Sequence, residues 1–143
     1  MFILRKLQKT DYYCGYLELL SQLTTVGNIS YQDFANRFDE LNSIIYVIQN
    51  TKNQQIVASG AILIEYKFIH NAGLIGHIED IVVDKDSRGC GLGRQLIDQL
   101  IQVALQNKCY KVILNCNSNV INFYQKLGFS NTKNNKSLSK YFS

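Results

Sequence analysis

A glycine-rich stretch between an apolar segment and the most regular helical segment has the composition of an anion-binding loop. It reads Arg-Gly-Cys-Gly-Leu-Gly over residues 88–93, with three glycines in five positions. Glycines let a backbone approach a ligand closely, and the free N–H groups at a helix start attract phosphate. Arg88 adds a fixed positive charge. The stretch predicts a phosphate or pyrophosphate cradle, and the alternative is a tight turn that packs the helix on the strand.

Two other phosphate-loop patterns do not fit this stretch. A dinucleotide-binding loop needs Gly-x-Gly-x-x-Gly, whereas the spacing here is Gly-x-Gly-x-Gly. A nucleoside-triphosphate loop needs Gly-Lys-Ser or Gly-Lys-Thr, whereas Gly93 is followed by Arg94 and Gln95. The loop therefore favours neither of these two classes.

Two adjacent carboxylates, Glu79 and Asp80, are the second candidate for chemistry. Neighbouring residues of a regular strand point to opposite faces, so the spacing alone does not make a paired-carboxylate site. A β-bulge at this point could bring both side chains to one site. The alternative is that one of them is a surface acid in a salt bridge.

The mild positive charge fits either simple solubility or an anionic partner, which could be a phosphate ligand, nucleic acid or a membrane surface. Lys and Arg number 15 against 11 Asp and Glu, a net charge of +4. Most of this excess lies in the tail, which carries Lys133, Lys136 and Lys140 and no acid after residue 130. A basic stripe with interleaved aromatic residues is missing from the sequence, so a nucleic-acid surface is weakly supported.

The four cysteines have no Cys-x-x-Cys spacing, so neither a metal site nor a dithiol redox site is predicted. We expect free, mostly buried thiols in a reducing compartment. No apolar run approaches the length of a membrane span, and the first residues are too short in apolar length for a signal peptide. These features predict a soluble cytoplasmic protein.

Hydrophobic periodicity predicts a mixed α/β sheet in one domain over residues 1–143. Strands are predicted over 2–7, 44–49, 56–68, 75–83 and 111–115. Helices are predicted from Thr10 or Asp11 to about residue 23, after Ser30, over 92–104 and over 119–126, followed by Gly128. The polar stretch 130–140 fits a loop or an edge strand. This order of elements places the glycine-rich loop between the predicted strand 75–83 and the predicted helix 92–104, which has the most regular apolar spacing.

Two motifs together resemble the GNAT acetyltransferase superfamily. Arg88-x-x-Gly91-x-Gly93 is similar to its acetyl-CoA loop, and Asn122-Phe123-Tyr124-x-x-x-Gly128-Phe129 is similar to its late block. Four further runs resemble the glucosamine 6-phosphate N-acetyltransferases, namely residues 23–27, 67–73, 76–83 and 109–114. The resemblance implies the GNAT fold, a central mixed sheet flanked by helices. It also implies acetyl transfer from acetyl-CoA to the 2-amine of glucosamine 6-phosphate, without a metal.

The resemblance assigns the cofactor contacts. The diphosphate of acetyl-CoA would lie on the backbone of Arg88, Gly89, Cys90, Gly91, Leu92, Gly93 and Arg94. Its pantetheine arm would pair with Ile81, Val82 and Val83 like an extra strand, if that strand splays from its neighbour. Asn122, Tyr124 and Lys126 complete the contacts. Tyr124 is the candidate general acid for the leaving thiolate, because a phenol is protonated at neutral pH; the alternative is a core aromatic.

The resemblance also assigns the sugar contacts, and for Lys67, His70 and Lys140 the alternative is a solvated surface residue. These contacts are Thr24, Thr25, Gly27, Lys67, His70, Glu79, Asp80 and Lys140. A homodimer is expected, in which the family's C-terminal segment supplies an Arg to the partner's phosphate site. The nearest match here is Lys140, which keeps the charge but loses bidentate geometry.

A second departure from the family is Asn115, where its members carry an acid. Two other functions stay open at this point: a GNAT enzyme for another amine (a peptide, a lysine or a polyamine), and a non-catalytic acetyl-CoA-binding module.

Overall fold

Five strands form one mixed sheet in the order in which they occur along the chain. They are β1 (Phe2–Lys6), β2 (Ile44–Asn50), β3 (Ile56–Tyr66), β4 (Leu74–Val83) and β5 (Cys109–Ile113). The first four are antiparallel neighbours, whereas β5 runs parallel to β4. The helices are α1 (Tyr16–Leu20), α2 (Tyr31–Glu40), α3 (Ile69–Ala72), α4 (Leu92–Gln106) and α5 (Ile121–Lys126).

The computed structural model describes residues 1–131 and 136–142, so Lys133 of the basic tail lies outside the described residues. Two compact units are present, Met1–Ile113 with the sheet and Leu114–Ser143 with α5. The stretch predicted as a loop or an edge strand has no regular structure at residue 131 or over 136–140.

Helices cover both faces of the sheet. Val47 and Ile48 are adjacent and both fully buried, because successive side chains of a strand enter opposite faces. One face packs against the N-terminal helices through Leu7, Tyr16, Leu19, Phe34, Val47, Ile56 and Val82. The other packs against α4 through Ile48, Val57, Ala58, Leu92 and Leu96. This arrangement confirms the mixed α/β sheet with flanking helices.

The continuous helix predicted from about residue 10 to residue 23 is wrong. A 3₁₀ helix covers Lys9–Cys14, Gly15 takes a left-handed φ of 78°, and α1 is only five residues long. Glycine adopts this conformation without strain, so Gly15 ends the first segment and redirects the chain. Asp11 accepts a hydrogen bond from the backbone N–H of Gln8 at 2.9 Å, so Gln8 takes the cap position instead of Thr10 or Asp11.

The start of α2 confirms its predicted cap, because the backbone N–H of Asp33 donates to Ser30 Oγ at 3.1 Å. The predicted helix over 92–104 is confirmed as α4. The predicted strand over 111–115 is displaced, since β5 begins at Cys109 and ends at Ile113. The expectation of mostly buried thiols is wrong, because Cys90 and Cys116 are exposed and Cys14 and Cys109 are only half-buried.

The predicted loop after β3 contains a left-handed helical turn. His70, Asn71 and Ala72 have φ values of 52°, 57° and 56°. The backbone N–H of Ala72 donates to the carbonyl of Phe68, at 3.0 Å. Left-handed backbone costs an L-residue with a Cβ about 1–2 kcal/mol. The turn therefore stores strain next to His70, one of the residues predicted to contact the sugar phosphate.

Replacing Ala72 with Gly should raise the free energy of unfolding by about 0.5–1 kcal/mol, because relief of strain exceeds the added unfolded-state entropy. Urea unfolding measures the change. The matched control is Ala35→Gly inside α2, which should lower stability by about 1 kcal/mol. Equal losses in both variants would show that the turn is not strained.

Candidate functional site

The glycine-rich loop presents unpaired backbone N–H groups at the start of α4. Gly89 and Gly91 have left-handed φ values of 85° and 76°, and a Cβ at either would meet nothing within 4 Å. The first intrahelical bond runs from the N–H of Gln95 to the carbonyl of Gly91 at 3.1 Å, which leaves the preceding helical N–H groups available. The first turn contains no acid to neutralise the helix dipole. This donor set, with open space beside it, fits a pyrophosphate.

Two arginines add positive charge to this loop. The Nε of Arg88 donates to the backbone carbonyl of Val83 at 3.3 Å, which fixes the loop to the end of β4. Arg94 is largely exposed, and its Nε lies 3.9 Å from Asp98. An exposed ion pair at this distance is weak, so the Arg94 guanidinium remains available to bind an anion.

The second half of β4 has an open edge. Its pairing with β5 runs from Leu74 to His77, and β5 ends at Ile113. Residues 78–83 therefore make no ladder with β5. Within the part of the chain that the structure describes, no hydrogen bond between backbone groups occupies this edge, so its groups can pair with an extended amide chain. The ladder between β4 and β5 thus ends before Ile81, Val82 and Val83, and the pairing of these residues with the pantetheine arm stays a prediction.

The acidic pair lies at a β-bulge in β4. The matched pairs on either side are Ser59 with Val82 and Ala61 with Glu79. Gly60 alone therefore faces both Asp80 and Ile81, and Asp80 takes a left-handed φ of 55°. The bulge shifts the alternation of the strand by one residue. The regular alternation of faces is therefore interrupted at this pair, and both residues are exposed.

The charge of Asp80 reaches the N-terminal face of the sheet. Burial raises the pKa of the Tyr16 phenol, a hydrogen bond with Ser59 opposes this, and the carboxylate of Asp80 raises it further. Tyr16 belongs to α1, so the charge of the bulge residue Asp80 acts on a side chain of this helix. Sequence reasoning missed Tyr16, because an aromatic residue on an apolar helix face is the usual pattern of a core residue.

Lys67, predicted to bind phosphate, is already paired with an acid. Its Nζ lies 3.2 Å from Glu65 Oε1, and Nε2 of His77 lies 2.7 Å from the same oxygen. The hydrogen bonds from His77 and Lys67 lower the pKa of Glu65. An anionic ligand must therefore compete with Glu65 for Lys67. His70 is exposed, and its ring packs against that of Tyr110 in a tilted arrangement, with a centroid distance of 4.3 Å.

The loop after α1 is tied to the loop after β4 by Gln22. Its Nε2 donates to Asp84 Oδ1 at 2.7 Å, and its Oε1 accepts from the backbone N–H of Lys85 at 3.0 Å. The predicted sugar contacts Thr24, Thr25 and Gly27 follow directly and are exposed. Gln22 thus holds this loop beside the approach to the glycine-rich loop. No sequence pattern distinguishes it, because a lone glutamine at a helix end is common.

The second unit holds Tyr124 on α5. The side chain is largely buried, with ring centroids of Phe123 at 5.1 Å and Phe129 at 5.8 Å. Burial raises the pKa of Tyr124, and the charge of Cys116 adds to the effect. The phenol is therefore held in its protonated form, as a proton donor requires.

The other predicted residues of this unit are exposed. Asn122 and Lys126 lie one turn apart on α5, so both point to one side of the helix. In the tail, Nζ of Lys140 lies 6.0 Å from the ring centroid of Phe142. Asn115, which stands where the family has an acid, is also exposed.

Comparisons with known proteins agree over nearly the whole chain. The model of the Acetyltransferase (GNAT) family matches residues 4–129. A glucosamine 6-phosphate N-acetyltransferase of Arabidopsis thaliana is 41% identical over 99% of this chain and 97% of its own length. One from Candida albicans is 47% identical over 90% of this chain and 89% of its own length.

Solved structures agree with the sequence matches. The crystal structure of glucosamine-6-phosphate N-acetyltransferase from Arabidopsis thaliana has a TM-score of 0.97 at 40% identity, covering 100% of this chain and 99% of that chain. An acetyltransferase structure from Trypanosoma brucei has a TM-score of 0.90 at 35% identity. The match covers 98% of this chain and 100% of that chain. The chain therefore belongs to the GNAT acetyltransferase family and, within it, to the glucosamine 6-phosphate N-acetyltransferases.

Proposed function

We propose that this chain, as one domain over residues 1–143, transfers the acetyl group of acetyl-CoA to the 2-amine of glucosamine 6-phosphate. The products are N-acetylglucosamine 6-phosphate and CoA, which serve UDP-N-acetylglucosamine synthesis. The proposal rests on three features that lie next to one another on β4 and in the loop that follows it. The acidic bulge, the open edge and the glycine-rich loop follow one another within residues 79–94.

Acetyl-CoA supplies a thioester, and the chain's own groups supply the rest of the chemistry. The backbone of residues 88–94 holds the diphosphate, and the open edge of β4 holds the amide-rich arm. A backbone N–H of β4 donates to the thioester oxygen, a contact whose loss typically costs on the order of 100–1000-fold in rate. Glu79 and Asp80 hold the amino sugar through its amine and hydroxyl groups.

The reaction is a direct attack in a ternary complex. The amine nitrogen bonds to the carbonyl carbon, the carbon–sulfur bond breaks, and the thiolate takes a proton from Tyr124. The surplus proton of the amine passes to a carboxylate of the acidic pair or to water, and Tyr124 regains its proton from solvent. An amino-sugar amine is only weakly basic, so orientation supplies much of the rate.

The proposal includes a cytoplasmic homodimer that binds neither nucleic acid nor membrane. Three exposed apolar side chains near the end of β3, those of Tyr66, Phe68 and Ile69, support a covered surface in solution. Lys140 would contribute to the partner's phosphate site. Within residues 1–131 and 136–142, no helix has the length and apolar character needed to cross a membrane. Sedimentation equilibrium should give twice the chain mass, and a monomer at all concentrations would reject the dimer.

One assay tests the reaction. Purified protein is supplied with acetyl-CoA, and release of the CoA thiol is followed with glucosamine 6-phosphate, glucosamine or peptide amines. We expect turnover with the phosphosugar alone. Turnover with peptide amines instead would indicate another GNAT substrate, and acetyl-CoA binding without turnover would indicate a binding module.

Replacing Asn115 with Asp should leave kcat/KM equal or raise it, because the new carboxylate could accept the amine proton. Asn115 is exposed, so the change removes no buried contact. The thiol-release assay at several pH values measures the effect. A loss of more than tenfold would show that the amide itself is required. Asn53→Asp, in the β2–β3 turn, is the control for added charge.

A further inference from the structure

Two buried hydroxyl groups lie beside the acidic bulge and have no part in the chemistry described above. Tyr16 is 5% exposed and Ser59 is 2% exposed. Ser59 Oγ donates a hydrogen bond to the Tyr16 hydroxyl at 3.3 Å. Among the described residues, the buried polar or charged side chains are Ser59 and Asp11. Asp11 is explained by its ion pair with Arg5 at 2.8 Å, whereas Ser59 and Tyr16 need another explanation.

The hydroxyl pair lies next to the bulge, through Ser59 on β3 and through the packing of Tyr16 against β4. Ser59 lies opposite Val82, and the next residue of β3 is Gly60, which faces the bulge. Tyr16 packs in the same apolar cluster as Val82. The pair therefore connects α1 to the two strands at the point where their register changes.

The bond between the two hydroxyls is too weak to explain their burial. Its length of 3.3 Å exceeds the usual O–H···O distance of about 2.7–2.8 Å. A buried hydroxyl loses solvation free energy that only good hydrogen bonds recover. The Tyr16 oxygen is the acceptor in this bond. Of the two carboxylates whose charge acts on Tyr16, Asp80 and Asp11, the second is paired with Arg5. Within residues 1–131 and 136–142, Asp80 forms no ion pair.

We propose that Tyr16, supported by Ser59, is a positioning residue that fixes the bulge and directs the Asp80 carboxylate towards the amino sugar. The inference rests on the proposed function, in which Asp80 contacts the substrate. Tyr16 itself is too buried to reach a substrate. It acts through Asp80, so its contribution should vanish when the carboxylate is removed.

A double-mutant cycle tests this coupling. Tyr16→Phe keeps the ring in place and removes only the hydroxyl. It should lower kcat/KM for glucosamine 6-phosphate about 10-fold and change KM for acetyl-CoA less than twofold. In the Asp80→Asn background the same change should alter kcat/KM less than twofold. An equal loss in both backgrounds would overturn the proposal.

Ser59 provides a second pair of variants should Tyr16→Phe fold poorly. Ser59→Thr retains a hydroxyl and should stay within threefold of the wild type, whereas Ser59→Ala should show most of the Tyr16→Phe loss. Tyr13→Phe is the control for loss of a tyrosine hydroxyl, because Tyr13 is 68% exposed and its ring stacks on Tyr31. That variant should leave kcat/KM unchanged.

Amide hydrogen exchange separates this inference from the proposed function. In Tyr16→Phe, exchange should accelerate at residues 79–82 and stay unchanged at 74–77, where β4 pairs on both edges. If the wild type released no CoA with the phosphosugar, the proposed function would fail, yet the exchange pattern would still decide the role of Tyr16. Unchanged exchange at 79–82 would overturn it.

Discussion

Replacing Tyr124 with Phe should lower kcat for acetyl transfer about 100-fold or more while leaving the fold intact. General-acid catalysis by a positioned side chain typically supplies this much. The aromatic ring of Phe keeps the contacts with Phe123 and Phe129, so the variant removes a proton donor and little else. Release of the CoA thiol under saturating substrates measures kcat directly.

The pKa of Tyr124 also predicts the shape of the pH profile. Burial and the charge of Cys116 both raise this pKa above the ordinary tyrosine value of about 10. The acid form therefore predominates through the neutral range and is lost only as pH rises past the raised value. Tyr124 should contribute no decline in kcat between pH 7 and pH 9.

The matched control is Tyr13→Phe, since Tyr13 is 68% exposed and stacks on Tyr31 far from α5 in sequence. This variant should retain wild-type kcat. A Tyr124→Phe rate within twofold of the wild type would remove the assigned role and leave Tyr124 as a packing residue of its own unit.

Features that depend on local sequence were predictable. The apolar spacing from Leu92 to Ala104 fixes one buried helix face, and α4 covers that range. Ser30 was recognisable as a cap because its hydroxyl needs only the backbone of Asp33, three residues on. Gly89 and Gly91 are residues that favour a left-handed backbone, and both adopt it in this loop. Each of these signals lies within one turn or one loop.

Features that depend on distant partners were not predictable. The bulge arises from the register between β3 and β4, and no residue type at Asp80 requires it. Glu65 attracts both Lys67 and His77, but only the hairpin brings His77 to it. Gln22 meets Asp84 across 62 residues of sequence. The sequence thus indicates which residues carry the chemistry, whereas tertiary pairing decides how they are held.

Replacing Asp80 with Asn should lower kcat/KM for glucosamine 6-phosphate about 100-fold and leave the KM for acetyl-CoA within twofold. Asn has the size of Asp and is well tolerated at a left-handed φ, so the bulge at 55° should persist. The variant removes the negative charge that orients the amine and can accept its proton. Steady-state kinetics with each substrate varied in turn separates these two parameters.

The specificity of that loss can be checked on the same chain. Asp39→Asn is the matched control, because Asp39 is exposed and its partner is Lys9 at 2.9 Å on the N-terminal side of the molecule. This variant removes the same charge and should retain wild-type kinetics. If Asp80→Asn stayed within threefold of the wild type, the bulge would not present a functional carboxylate. Glu79, its neighbour on β4, would then be the acid that holds the amino sugar.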